Sequence, residues 1–352
     1  MNKNIYVLPV GFTFREIKYP EPEIPNKDIL MKRLKLKKAV VKIGKELKGG
    51  TVSQVYEGEM DGTPVVVKHT ENTTPENPHE FFIPNDGGNT DAKILKLLNK
   101  VAEVKTPKLI LHFPKLTTHI MEDVRSDGFQ LLSDKIIKKK LPLNTAEHIG
   151  RSLANLAKAS REWMDFRTNE SAQISFYERA AELLVAFPNN LKLYYALEKR
   201  FTQYDVDPEK QEKLKRFFVW PDCHPKNMLV NRDGEVVFID FGRSHWGDQR
   251  YMLPNFLAHI VLYALNGYIK RSDAEKFVQK CIKSYRTVET YEDEKVLVEY
   301  LATELMHRAH GKYLTGIEKA EYKLLAWQLG MKVFDEKINT VKKFLSVFKK
   351  VK

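Results

Sequence analysis

Cysteine is scarce in this sequence, because only Cys223 and Cys281 occur among 352 residues. Two cysteines exclude a disulfide framework and a CxxC-type zinc site, and we expect a reducing, cytoplasmic location. Long apolar runs are also lacking, since the best candidate, residues 256–265, is too short to span a bilayer. The first residues contain neither a long apolar core nor a small-residue cleavage site, so no signal peptide is expected.

The charge of the chain is unbalanced, with a formal net charge of +12, while hydrophobic residues make up 43% and charged residues 30%. A basic chain can bind nucleic acid or a membrane surface. The lysines are scattered along most of the chain, however, and no aromatic motif of an RNA-binding domain is present. We therefore interpret the charge as a solvated, lysine-rich surface, and expect no nucleic-acid partner.

The N-terminal third begins with an extension and continues as a β-rich region. Pro20, Pro22 and Pro25 forbid a regular helix or central strand, so residues 1–39 are predicted to pack on the outside of the first lobe. From residue 40 apolar and polar residues alternate, and Asp61-Gly62 supplies a turn signal. The pattern predicts an antiparallel meander of three strands.

A candidate phosphate-binding loop joins the first two predicted strands. Gly49 and Gly50 let backbone N–H groups approach phosphate oxygens, and Thr51 and Ser53 follow them. Lys68 ends the third strand, where a kinase lysine reaches the nucleotide phosphates. Each feature also has an ordinary interpretation, as a hairpin turn and a solvated lysine, and their combination favours the nucleotide site.

The partner of Lys68 is left open between two acidic residues. Thr90 is the predicted N-cap of a helix whose first turn contains Asp91, and Asp91 either pairs with Lys68 or complements the helix dipole. Glu80, in the preceding loop, is the competing partner. A buried strand is then predicted to end at Glu122-Asp123.

The residues best suited to chemistry lie between positions 218 and 248. Asp222, Asn227 and Asp240 occupy loops at the ends of short apolar strands. Phosphoryl transfer to a hydroxyl requires a carboxylate that accepts or orients the hydroxyl proton, oxygen ligands for Mg²⁺, and a cation that neutralises phosphate charge. These three residues and Lys68 supply that set.

The motif D-x-H-P-x-N followed by F-I-D-F-G resembles the catalytic and metal-binding loops of the aminoglycoside phosphotransferase and choline kinase family, which has a protein-kinase-like fold. The resemblance implies Asp222 as the catalytic base and Asn227 and Asp240 as Mg²⁺ ligands. It also implies that Lys68 contacts the ATP phosphates, and that the backbone from Glu122 to Val124 contacts adenine.

One position departs from the family pattern, because Trp220 stands where the family usually has histidine, two residues before the catalytic aspartate. The departure concerns how the loop is held and leaves the proton acceptor unchanged. The resemblance implies that His224 holds the loop by hydrogen bonding and that Asp248 anchors the following segment.

Together these features predict an α+β fold with two lobes, a small antiparallel β N-lobe at 40–124 and a larger, mainly helical C-lobe at 125–352. The predicted function is an ATP- and Mg²⁺-dependent phosphotransferase acting on the hydroxyl of a small molecule. The alternatives are a nucleotide-binding pseudokinase or a protein kinase. The short segment from Asp240 to Asp248 and the missing A-P-E motif disfavour a protein kinase.

The acceptor remains open at this stage. An aminoglycoside calls for an acidic pocket, for which Glu182, Asp205 and Glu304 are candidates, whereas a choline-like acceptor calls for an aromatic cage. A sugar such as methylthioribose or a homoserine-like metabolite is an equal alternative.

Two C-terminal features have competing interpretations. His307 and His310 are spaced to share one helix face, but without a carboxylate or cysteine partner they are interpreted as surface residues. Residues 334–348 place apolar side chains on one face and lysines mostly elsewhere. This face is expected to pack on the C-lobe, and the alternative is an anionic membrane.

Overall fold

A computed structural model describes six stretches of the chain: residues 41–47, 53–70, 87–163, 217–290, 293–310 and 319–351. The predicted N-terminal extension and the glycine loop at 49–51 lie outside these residues.

The N-lobe is built on a five-stranded antiparallel sheet in the order β1-β2-β3-β5-β4. The predicted three-strand meander is confirmed as β1 to β3, and the turn at Asp61-Gly62 joins β2 to β3 with positive φ at both residues. The strands are β1 (Lys42–Glu46), β2 (Ser53–Met60), β3 (Thr63–Thr70), β4 (Leu109–Phe113) and β5 (Thr118–Glu122).

The alternation of side chains along β3 decides where Lys68 points. Val65 and Val67 are fully buried in a small cluster on one face of the sheet. Val66 lies on the opposite face, in the main core. Since side chains two residues apart share a face of a strand, Lys68 lies on the same side of the sheet as Val66.

Helix α1 (Gly87–Leu98) packs its apolar residues Ile94, Leu95 and Leu98 in that same core. The predicted N-cap at Thr90 is wrong, because the helix already begins at Gly87. The sequence argument missed the reason: a Cβ on Gly88 would lie 2.6 Å from the carbonyl oxygen of Thr117. The glycine at this position therefore lets the first turn form against the sheet.

Two small sheets carry the central loops of the C-lobe. One has the order β6-β8-β9 and the other pairs β7 with β10, all antiparallel. Their strands are β6 (Gln130–Leu131), β7 (Phe217–Val219), β8 (Met228–Val230), β9 (Val236–Phe238) and β10 (His245–Gly247).

The remainder of the described C-lobe is helical and encloses the main core. Helix α4 is buried along its whole length and lies against α5 and α6. The helices are α2 (Leu132–Ile137), α3 (Thr145–Ala159), α4 (Met252–Leu265), α5 (Arg271–Tyr285), α6 (Glu294–His310), α7 (Ala320–Asp335) and α8 (Val341–Lys350). The two-lobed α+β architecture predicted from sequence is confirmed.

The C-terminal apolar face is divided between two helices. Helix α7 ends at Asp335, and Lys337 then adopts a positive φ of 50° that interrupts the helical path. In α8, Phe344 and Phe348 are fully buried against the other C-lobe helices. This placement supports packing on the C-lobe. Among the described residues, no helix is both long and apolar enough to cross a membrane.

Candidate active site

A buried lysine links the two lobes. The Nζ atom of Lys68, on β3, lies 2.6 Å from Oδ2 of Asp91 on α1 and 2.7 Å from Oδ1 of Asp240, after β9. The lysine and Asp91 side chains are almost fully buried, whereas the Asp240 side chain is 43% exposed. We call Lys68, Asp91 and Asp240 the lysine bridge. Of the two candidate partners, Asp91 pairs with Lys68, while Glu80 lies outside the described residues.

The lysine bridge holds charged groups in a buried place. Burial alone would lower the pKa of Lys68, but the carboxylates of Asp240 and Asp91 outweigh this effect and raise it. Burial alone would raise the pKa of Asp91, but the charge of Lys68 outweighs it and lowers that pKa. One ammonium therefore faces two carboxylates, which leaves an excess negative charge on the side where Asp240 meets solvent.

Asp91 also fixes the backbone of the loop after β9. Its second oxygen, Oδ1, accepts a hydrogen bond from the backbone N–H of Phe241 at 2.9 Å. The Nε2 atom of His119 lies 3.4 Å from Oδ2 of Asp91, as an electrostatic contact. His119 is the direct cross-strand neighbour of Lys68 on β5, and sequence reasoning missed it because only the strand register brings the two together.

The loop that carries Asp222 is short and internally bonded. The carbonyl oxygen of Asp222 accepts hydrogen bonds from the His224 N–H at 2.9 Å and from Asn227 Nδ2 at 3.0 Å. A 3-10 turn, Pro225–Asn227, then leads directly into β8. The Asp222 side chain is 19% exposed, and its Oδ2 lies 3.9 Å from Nε of Arg243. The loop thus holds a partly exposed carboxylate on a fixed backbone.

Asn227 and Asp240 are brought together by the β8–β9 hairpin. Met228, after Asn227, pairs with Phe238, two residues before Asp240, and the N–H of Ile239 donates to the Asn227 carbonyl. Among the described residues, neither Asn227 Oδ1 nor Asp240 Oδ2 accepts a hydrogen bond.

These two oxygens suit Mg²⁺, which often takes one or two protein oxygens together with substrate phosphates. A fuller protein cage is absent from the described part of the chain, where no three His, Cys, Asp or Glu side chains cluster as a metal site. The donor set therefore fits a metal shared with a phosphorylated ligand.

The structure describes only some of the other predicted nucleotide-binding residues. Ser53 shares a hydrogen bond of 2.9 Å with the Thr70 hydroxyl, which ties β2 to β3. Gly49, Gly50 and Thr51 lie outside the described residues. Glu122 ends β5 and accepts from the Lys108 N–H at 3.1 Å, and the buried Val124 begins a 3-10 turn. The backbone segment from Glu122 to Val124 therefore connects the N-lobe sheet to the C-lobe.

Comparison with known proteins decides the family. A model described as the phosphotransferase enzyme family, APH, matches residues 45–253, which is more than half of the chain. The chain belongs to this family. The resemblance seen in the sequence motifs is thereby confirmed, and the match covers both Lys68 and the Asp222–Asp240 region. A search of curated proteins found no match.

Solved structures of low sequence identity share the fold of this phosphotransferase. An amicoumacin kinase in complex with AMP-PNP and Ca²⁺ superposes with a TM-score of 0.58 at 13% identity, covering 92% of this chain and 98% of that one. A microcompartment-associated aminopropanol kinase gives 0.53 at 13% identity, with 88% and 98% covered. An ethanolamine kinase from Plasmodium vivax gives 0.51 at 14% identity, with 89% and 91% covered.

The resemblance implied that His224 holds the loop by hydrogen bonding. The structure shows no such bond from the Nδ1 atom of its ring, which is buried and has no hydrogen-bond partner among the described residues. Its ring instead packs 5.2 Å, between centroids, from that of His259. Burial lowers the pKa of His224 to about 4, so the ring is neutral near pH 7. The hydrogen bonds between His224 and the described residues of the loop come from its backbone.

The interpretation of His307 as a surface residue is wrong. It is 3% exposed, because α6 lies between α4 and α7, and its Nδ1 lies 3.9 Å from Glu304 Oε1. The side chain of His310 is not among those that the structure describes.

Glu304, a candidate for binding a cationic acceptor, is also buried. Its carboxylate accepts from Arg308 Nε at 2.5 Å and from the Tyr251 hydroxyl at 2.7 Å. We call Glu304 and Arg308 the α6 ion pair. The remaining acidic candidates, Glu182 and Asp205, lie outside the described residues.

Two other side chains near the site, those of Cys223 and Asp248, are interpreted as structural. Cys223, next to Asp222, is fully buried, and burial raises the pKa of its thiol. Asp248 accepts hydrogen bonds from Arg250 and from the Tyr300 hydroxyl at 2.8 Å, and thus joins the segment after β10 to α6.

Proposed function

We propose that this protein is an ATP- and Mg²⁺-dependent phosphotransferase that moves the γ-phosphoryl group to a hydroxyl of a small molecule. The lysine bridge is the observation that carries the proposal. It joins a cation from the N-lobe sheet to an exposed carboxylate beside the Asp222 loop, and leaves the excess negative charge facing solvent. Such an arrangement suits a metal and a polyphosphate bound between the lobes.

In this proposal the N-lobe, residues 40–124, binds the nucleotide. Lys68 and the loop with Gly49, Gly50, Thr51 and Ser53 bind the phosphates. The backbone from Glu122 to Val124 binds adenine. Asp91 orients the Lys68 ammonium through the 2.6 Å contact. The amicoumacin kinase of similar fold, which was solved with AMP-PNP and Ca²⁺, supports nucleotide and divalent-metal use.

The C-lobe, residues 125–352, supplies the catalytic and metal-binding groups in this proposal. Asp222 accepts the proton of the acceptor hydroxyl and orients its oxygen, since its carboxylate projects from a loop fixed by two hydrogen bonds to its own carbonyl. Asn227 Oδ1 and Asp240 Oδ2 hold Mg²⁺. When bound, the metal neutralises phosphate charge.

A small-molecule acceptor is favoured over a protein. Residues 241–248 are filled by a turn and β10, which leaves no room there for a long activation segment. The aminopropanol and ethanolamine kinases of similar fold are named for small alcohols, and this supports a small hydroxyl acceptor.

Asp222→Asn tests the proposal. ATP turnover with a panel of hydroxyl acceptors is expected to fall by at least about 10²-fold, because the general base is lost. Binding of AMP-PNP with Mg²⁺, measured by calorimetry, is expected to change by less than about threefold, since the carboxylate faces the acceptor.

Asp233→Asn is the matched control, because Asp233 is an exposed aspartate in the turn between β8 and β9. It should turn over ATP like the wild type. Full turnover by Asp222→Asn would refute the assignment of the base. A wild type that binds Mg²⁺ and AMP-PNP but phosphorylates no acceptor would favour a pseudokinase.

A further inference from the structure

The backbone of Asp240 adopts an unfavourable conformation. Its φ is +64°, in the left-handed region, where a residue with a Cβ is strained. Such a conformation costs on the order of 1–3 kcal/mol and persists only where the surroundings enforce it. Neighbouring groups must therefore hold the Asp240 backbone in place.

Two hydrogen bonds hold the peptide that follows this residue. The indole Nε1–H of Trp220 donates to the carbonyl oxygen of Asp240 at 2.8 Å. The next N–H, that of Phe241, donates to Asp91 Oδ1 at 2.9 Å. The peptide between Asp240 and Phe241 is therefore bonded at its oxygen by the C-lobe and at its nitrogen by the N-lobe.

The indole is itself rigidly held. Trp220 is fully buried, and its ring centroid lies 5.1 Å from that of Phe238 and 4.9 Å from that of Phe241, on either side of Asp240 in the chain. A buried indole N–H needs an acceptor, because an unsatisfied one costs about 1–3 kcal/mol. The Asp240 carbonyl is thus the acceptor for a donor that has little freedom to turn elsewhere.

We propose that Trp220 is a positioning residue that sets the direction of the Asp240 carboxylate. Its N–H fixes the left-handed peptide from which the side chain reaches Lys68 at 2.7 Å and leaves Oδ2 for a metal. The metal-related part of this role rests on the proposed function, whereas the backbone restraint rests on geometry alone. The histidine that the family pattern expects here also carries a ring N–H, so the substitution keeps a donor.

The test compares Trp220→Phe with Trp163→Phe. The first change removes the N–H and keeps an aromatic ring. The second makes the same exchange at a tryptophan that packs edge-on against Phe218, at 5.2 Å, in the same core. Trp220→His restores a ring donor. Calorimetry measures the Kd of AMP-PNP with Mg²⁺ and, separately, with a chelator.

Trp220→Phe is expected to weaken Mg²⁺-dependent AMP-PNP binding by about five- to tenfold, as loss of one hydrogen bond predicts. Binding with chelator should change by less than about twofold, and Trp163→Phe should match the wild type in both conditions. Trp220→His should recover most of the loss. Wild-type affinity in Trp220→Phe, or equal weakening with and without metal, would overturn the proposal.

Hydrogen exchange separates a failure of this inference from a failure of the proposed function. If the wild type binds no Mg²⁺–AMP-PNP, the proposed function fails, and the restraint is then judged by exchange at amides 239–244. Faster exchange there in Trp220→Phe than in Trp163→Phe supports the restraint, and equal exchange overturns it.

A second pair of variants serves if Trp220→Phe does not fold. Trp220→His and Trp220→Leu both lose packing, but only histidine keeps a ring donor. Slower exchange at amides 239–244 in the histidine variant supports the proposal, and equal exchange in the two overturns it.

Discussion

The lysine bridge and the α6 ion pair are both buried ionic clusters. They differ in charge balance and in the number of structural elements that they join. The lysine bridge sets one cation against two carboxylates, and its members come from β3, α1 and the loop after β9. The α6 ion pair sets Glu304 against Arg308 within one helix, and both side chains are nearly inaccessible. The first cluster is negatively charged and open at Asp240, which suits a ligand. The second joins one cation to one carboxylate at 2.5 Å and suits a structural role.

Lys68→Met should have the largest effect among changes that test this comparison. We expect kcat/KM for ATP to fall on the order of 10²–10³-fold, because a preorganised cation in a site of low dielectric is lost. Steady-state ATP turnover measures it. Lys42→Met is the control, since Lys42 is 82% exposed in its pair with Glu59. A loss of less than tenfold for Lys68→Met would place the phosphates elsewhere.

Arg308→Met should act on stability, in contrast to Lys68→Met. The change removes the guanidinium that lies 2.5 Å from the buried Glu304 carboxylate, and breaking a buried pair costs about 3–5 kcal/mol. Urea unfolding measures the loss, and Glu304→Gln with Arg308→Met should recover part of it. If Arg308→Met leaves the unfolding midpoint unchanged and abolishes turnover, the two clusters do not divide as argued.

The smallest of the three effects should be the change that Asp91→Asn makes in the pH dependence of stability. The folded pKa of Asp91 lies below its unfolded value of about 4, so the unfolded state binds more protons as the pH falls. The stability that Asp91 provides is therefore fully present above about pH 5 and is lost in acid. Between about pH 5 and 3, the urea midpoint of the variant should fall less steeply than that of the wild type. Parallel curves would contradict the lowered pKa.

Much of the candidate site could be predicted because it is local in sequence. Asp222, Asn227 and Asp240 lie on one short β-hairpin and its approach, where strand periodicity and turn residues determine the geometry. The position of Lys68 could also be predicted, since β2 and β3 form a hairpin with a clear turn signal.

Contacts that depend on long-range register could not be predicted. The position of His119 opposite Lys68 requires the pairing of β3 with β5, and the bond from Trp220 to Asp240 requires the packing of Phe238 and Phe241 around the indole. The start of α1 at Gly87, before Thr90, has the same origin, because the approach of Thr117 to Gly88 is a tertiary contact. Propensity alone places a helix start only approximately.

The carboxylate of Asp91 contacts groups from both lobes. Oδ2 meets Lys68 of the sheet and Oδ1 meets the Phe241 N–H of the loop after β9. Hydrogen bonds weaken rapidly beyond about 3.5 Å, so an outward shift of α1 by roughly one ångström would break both contacts at once. Displacement of α1 would consequently release the Lys68 ammonium and the loop after β9 together.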